Sequence, residues 1–195
     1  MDLSLKAQSL NLKARAGFYI VESMVALGLL VFGFLGFVAL LSSSLSLNRV
    51  ASHAYIGNFL ALEGIELVKN VVDANIIYRQ NWGEACEWNS GFSKKGQYDV
   101  SSEQVFPESG TCPGEQFVNN HEFADSPLLI DSRGMYNHAL GEATPFRRRI
   151  VVSPVPENEP DSDELKVNSI VTWTTRGGGK FEVSAEDHLF NWQRR

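Results

Sequence analysis

Apolar positions run almost unbroken from Phe18 to Leu41, 24 residues with one charged side chain, Glu22, and no proline. As an α-helix this run is about 36 Å long at ~1.5 Å per residue, enough to cross a bilayer core of roughly 30 Å. Beyond Leu41 the pattern turns amphipathic, with Val50, Ala54, Gly57, Ala61, Gly64, Val68 and Val71 returning at three- and four-residue spacing. The helix is therefore predicted to continue from Phe18 to about Ala74, with Asn75 as its stop, because the first proline downstream is Pro107.

From Tyr78 to Gly141, Gly, Ser, Asn and Glu cluster around scattered aromatics such as Trp82, Trp88, Phe92, Tyr98 and Phe106, with no sustained period. This predicts a loop-rich region with short strands. The C-terminal third is more regular. Phe146 to Val152, Leu165 to Thr174 and Lys180 to Ala185 are strand-like; Val167, Ser169, Val171 and Trp173 alternate with Asn168, Ile170 and Thr172, and Gly177-Gly178-Gly179 marks a hairpin turn. The expected organisation is a short leader over 1–17, a membrane helix over 18–41, an amphipathic helix over 42–75, a loop-rich region over 76–145 and an antiparallel meander over 146–195. The fold class is α+β, a long N-terminal helix packed on a small antiparallel sheet.

Charge orients this scheme. Lys6, Lys13 and Arg15 precede the apolar run, whereas Arg49 is the only Lys or Arg after it until Lys69. By the positive-inside tendency the N-terminus stays in the cytoplasm and the head faces outward. Since the basic leader is part of a chain of net charge -6, the remainder is more acidic still, which argues against a nucleic-acid surface. A secretory signal peptide would share the basic start and the small residues Ser42, Ser43 and Ser44. Its apolar region is usually 7–15 residues and free of carboxylates, and here the run is longer and holds Glu22.

A carboxylate in such a run costs on the order of 2.5–3.5 kcal/mol on insertion scales at the bilayer centre, so Glu22 asks for a reason. Tilting toward the interface is one, because it lies about one turn inside. Its surroundings supply another. Lys13-Ala14-Arg15-Ala16-Gly17-Phe18-Tyr19-Ile20-Val21-Glu22 resembles the processing site of type IV prepilins, pseudopilins and competence pilins, in which a basic leader ends in Gly and the mature chain starts with Phe and has Glu fifth. The usual Thr at the second mature position is Tyr19 here. The resemblance implies cleavage between Gly17 and Phe18 by a prepilin peptidase, N-methylation of Phe18 by the same enzyme, and assembly with other pilin or pseudopilin subunits through the filament machinery of the cytoplasmic membrane, ending in an extracytoplasmic filament. It also implies a pilin-like fold. Phe59 to Asn70, together with Glu22 to Leu27, resembles minor pilins of the PilV type, a pattern shared by one minor pseudopilin of type II secretion.

The chemistry of that motif follows from the residues. Cleavage would leave an α-amine on Phe18 about one turn from Glu22, and the carboxylate of one subunit can pair with the amine of a neighbour, because an unpaired buried charge costs far more than a paired one. Glu22 is thereby an assembly register.

Little else in the chain carries chemistry. Cys86 and Cys112, the only cysteines, lie on the exported side, where a disulfide is expected; free thiols or a shared metal are the alternatives. None of His53, His121, His138 and His188 falls at a metal-ligand or acid-base spacing, and no nucleophile elbow or phosphate loop occurs. Glu157 to Glu164 concentrates carboxylates between two strands; Asp161, Asp163 and Glu164 are candidate calcium ligands, although the spacing lacks the EF-hand pattern and a solvated loop is the simpler reading. Arg147-Arg148-Arg149 would be split across two faces of a strand. The expectation is a non-enzymatic structural subunit without cofactor, a minor pilin. A minor pseudopilin of type II secretion is the nearest alternative. A permanently anchored single-pass protein with a ligand-binding head is the alternative of another class.

Overall fold

The computed structural model describes residues 2–82, 86–99, 111–120, 123–157, 159, 161–175 and 178–192, with helix side chains described over 18–80 and 113–119. Residues 1–51 and 52–195 form two separate compact units. The boundary falls within the first helix, α1 (Asp2–Trp82). The first unit is helical, and its large apolar side chains from Phe18 to Leu41 are exposed. An 18-residue window of the helix over Phe18–Gln80 reaches a mean hydropathy of 2.7, and the helix is long and apolar enough to cross a membrane.

The second unit is α+β. Its part of α1 is followed by β1 (Gly96–Tyr98), α2 (Pro113–Asn120), β2 (Leu129–Ile130), β3 (Tyr136–Asn137), β4 (Glu142–Ala143), β5 (Phe146–Pro154), β6 (Glu164–Thr174) and β7 (Lys180–Phe190). One sheet has the order β1-β5-β6-β7 and a smaller one β3-β2-β4, both antiparallel. The register pairs Phe146 with Trp173 at one end of β5–β6 and Pro154 with Leu165 at the other. Alternation then sends Phe146, Ile150 and Val152, with Leu165, Val167, Val171 and Trp173, to one buried face. Against it pack Leu60, Ala61, Ile65, Val68, Val72 and Ile76 of α1. This is the helix-on-sheet arrangement expected from the pattern.

Gly57 and Gly64 bring the helix backbone down onto the sheet. A Cβ on Gly64 would lie 2.3 Å from Ser169 Oγ and 3.1 Å from Ile150 Cδ1, and one on Gly57 would lie 2.8 Å from Trp173 Cζ3. Their helix-propensity cost of about 1 kcal/mol each is offset by that close approach.

Several elements differ from the sequence expectation; α1 starts at Asp2 rather than Phe18, and β6 at Glu164 rather than Leu165. Asn75 does not stop the helix, which runs on to Trp82. Its side chain is buried and its hydrogen bonds are tertiary: Nδ2 donates to the Trp88 carbonyl at 3.2 Å and the Ser90 carbonyl at 3.1 Å, and Oδ1 accepts from the Gly114 amide at 2.8 Å. An amide supplied with partners from elsewhere no longer competes for its own backbone, which is why Asn otherwise favours helix ends. The region read as loops holds α2, a helix of 8 residues, too short to show a period. Finally, β5 and β7 extend past Val152 and Ala185 to Pro154 and Phe190. Gly178 has a positive φ of 79°, as a hairpin turn requires, while Gly177 lies outside the described residues.

Candidate functional site

The motif residues sit on α1. Gly17 is helical in backbone, and its surroundings lie outside the described residues. Phe18 is 69% exposed and Glu22 is exposed one turn later, with no ion-pair partner among the described residues. Ser23 folds its hydroxyl back to the Ile20 carbonyl at 2.8 Å, so it spends its donor within the helix. Residues i and i+4 share a helix face, and the backbone positions of Phe18 and Glu22 lie about 6 Å apart along the axis. The helix thus presents an all-round apolar surface interrupted by one carboxylate near its start.

In the second unit the disulfide is present: Cys86 and Cys112 are bonded, with Cα atoms 5.6 Å apart and a sequence separation of 26. It joins the turn at 88–91 to the start of α2, where Gly91, at φ 84°, and Gly114 meet so closely that a Cβ on Gly114 would lie 1.8 Å from the Ser90 carbonyl oxygen. Asn75 reaches the same junction from α1, so the covalent link and the amide hydrogen bonds hold one piece of chain.

The three arginines take different fates. Arg147 and Arg149 are on the outer face of β5, Arg147 bonded to Asp125 and Arg149 over the Phe123 ring at 5.9 Å. Arg148 points inward and is 1% exposed. One guanidinium nitrogen donates to the Leu60 carbonyl at 3.1 Å and to Glu63 Oε2 at 3.0 Å. Burial lowers its pKa, opposed by the Glu63 carboxylate and, more weakly, by Asp99. Sequence reasoning placed the three on two faces but assigned Arg148 no role. The available clue was that Arg148 shares parity with Phe146 and Ile150, so an inward cation needed a carboxylate on the amphipathic helix.

The acidic loop does not gather its carboxylates. Glu164 binds His188 Nδ1, Asp163 Oδ1 accepts from Asn191 at 3.4 Å, and Asp161 is exposed. Among the described residues no group of three or more His, Cys, Asp or Glu side chains is placed to hold a metal ion. His188 also lies 3.6 Å from Glu186, which pairs with Lys166 at 2.8 Å. The Glu164 hydrogen bond raises the His188 pKa above 6.5. His138 Nδ1 bonds Ser126 at 3.0 Å, His53 packs edge-on to Phe146 at 5.6 Å, and His121 lies outside the described residues.

Comparison with protein-family models, with curated proteins and with solved structures finds no match.

Proposed function

We propose that the chain is a minor pilin-like structural subunit of a type IV pilus or related filament. A prepilin peptidase cuts between Gly17 and Phe18 and methylates the new amine. The subunit waits in the cytoplasmic membrane with its N-terminus inside and its head outside, then joins other pilin or pseudopilin subunits through the assembly machinery. It is not an enzyme and takes no cofactor. The observation that carries this reading is the position of Glu22: a lone carboxylate on an exposed apolar helix, one turn past a Gly–Phe pair that follows a basic leader. A membrane anchor alone has no use for that charge, whereas a helix that enters a bundle beside a neighbour's α-amine does.

Substitution of Glu22 tests assembly separately from processing. Glu22→Ala leaves the cleavage residues intact but strands the neighbour's amine without a partner, at a cost of about 3–5 kcal/mol if that amine is buried. The variant is expected to be cut and to remain in the membrane, while its amount in sheared filaments falls by at least about a hundredfold. Incorporation equal to wild type would show that Glu22 is not an assembly register.

A further inference from the structure

We propose that a cleft on the outer face of the main sheet binds an acidic peptide segment, with Arg149 and Lys180 each taking one of its carboxylates. The inference goes beyond the filament reading and does not depend on it. The outer face is the one opposite α1, so it stays open when α1 packs into a bundle.

Other arginines of the head have their counter-ions within the chain. Arg79 pairs with Glu87, Arg133 with Asp131, Arg147 with Asp125 and Arg148 with Glu63. Arg149 differs. It is half-buried, and its guanidinium lies over the Phe123 ring at 5.9 Å with no carboxylate partner among the described residues. Carboxylates are in excess in a chain of net charge -6, so a guanidinium held on a ring and given none is set for one from outside. The wall beside it is fixed from below. Asp99, 7% exposed, accepts the Ala124 amide at 2.9 Å and the Ser126 amide at 3.5 Å. Between them Asp125 adopts a φ of 51°, and its carbonyl and carboxylate both meet Arg147. Arg147 is thereby neutralised, and Arg149 remains as the free cation of a cleft of about 200 Å³ floored by Ile170 and Thr172.

This cleft continues across the sheet. Asp125, Arg147 and Thr172 also line a second one of about 440 Å³, which reaches Thr174, Lys180 and Glu182. Lys180 is exposed and has no ion pair among the described residues. Arg149 is opposite Ile170 and Lys180 opposite Thr174, so the two cations are two strand spacings and four residues apart, roughly 16 Å between backbones at ~4.8 Å per strand and ~3.3 Å per residue. An extended segment with acidic residues at i and i+4 carries both on one side about 13 Å apart, and the long side chains span the rest. Glu182 borders the second cleft and repels a further carboxylate, so the segment is acidic at two places rather than throughout. A phosphate fits less well, because it brings up to two charges to one guanidinium with Asp125 nearby. Phe123 and Ile170 give the stem of a glutamate apolar contact.

The probe is a blocked five-residue peptide with glutamate at both ends and serine between, titrated into the full-length chain in detergent while the arginine Nε–Hε resonances are followed by NMR. The Arg149 resonance is expected to shift saturably and the Arg133 resonance to stay. Arg149→Gln is expected to weaken binding about tenfold and Lys180→Gln about threefold, since the first removes a half-buried guanidinium and the second an exposed charge. Both side chains lie outside the core, and circular dichroism checks that each variant is folded. Binding unchanged by Arg149→Gln, or an all-serine peptide that binds as tightly, would overturn the proposal. Glutarate binding as tightly as the peptide would overturn it in favour of a small free acid, and tighter binding of inorganic phosphate in favour of a phosphate group.

Discussion

Arg148 occupies a position where strand alternation asks for an apolar side chain, and its charge is tolerated because α1 delivers a carboxylate and a carbonyl to it. Removing one partner of such a pair is worse than removing both, since it leaves a charge uncompensated. Glu63 is 33% exposed, so water shares its side of the bond and the loss is smaller than for a fully buried pair. Glu63→Gln is expected to cost about 2–3 kcal/mol in denaturant unfolding of the head, and Arg148→Met added to it to recover most of that loss. His188 makes the complementary prediction for pH. Its folded pKa is raised, so its bond to Glu164 contributes fully below the ordinary value of 6.5 and is lost as pH rises through the higher folded value. An NMR titration is expected to show the His188 ring titrating above 6.5, and Glu164→Gln to bring it back toward that value. Of these residues, the sequence shows Arg148's face but not its partner. Parity along a strand is a one-dimensional property, whereas the pairing with Glu63 depends on how the helix lies on the sheet.

Long elements were legible because each repeats its signal many times. α1 shows an apolar run and then a sustained period, and β6 alternates along its whole length with Ser169 in the only inward polar place. Short elements were not. α2 and the two-residue strands of the smaller sheet lack a full repeat, and what holds α2 in place is tertiary: the Asn75 amide and the disulfide. The same Asn75, taken for a helix stop from its local preference, is a helix interior residue because of bonds to chain 13 to 39 residues away. Since the disulfide ties down a segment with little regular structure, its removal acts mainly on the unfolded chain. For a separation of 26 the chain-entropy account gives about 3.5 kcal/mol, so Cys86→Ser with Cys112→Ser is expected to lower the unfolding free energy of the head by that much while its β-sheet circular dichroism persists in the absence of denaturant.

At the scale of the whole molecule, two units of opposite character share one helix. Residues 52–195 bury a helix face against a sheet, and residues 18–41 bury nothing of their own. An apolar helix without an internal partner needs a lipid or protein environment, and on the proposed reading a neighbour's α-amine in a filament is the partner of the carboxylate Glu22. That account stands on one covalent event. The direct measurement is the intact mass and N-terminal sequence of the chain isolated from membranes that contain an active prepilin peptidase, for wild type and Gly17→Ala. The account predicts a wild-type chain that begins at Phe18 and carries one additional methyl group, and a Gly17→Ala chain that keeps its leader. A wild-type chain beginning at Met1 under those conditions, or one beginning after Ser44, would contradict it.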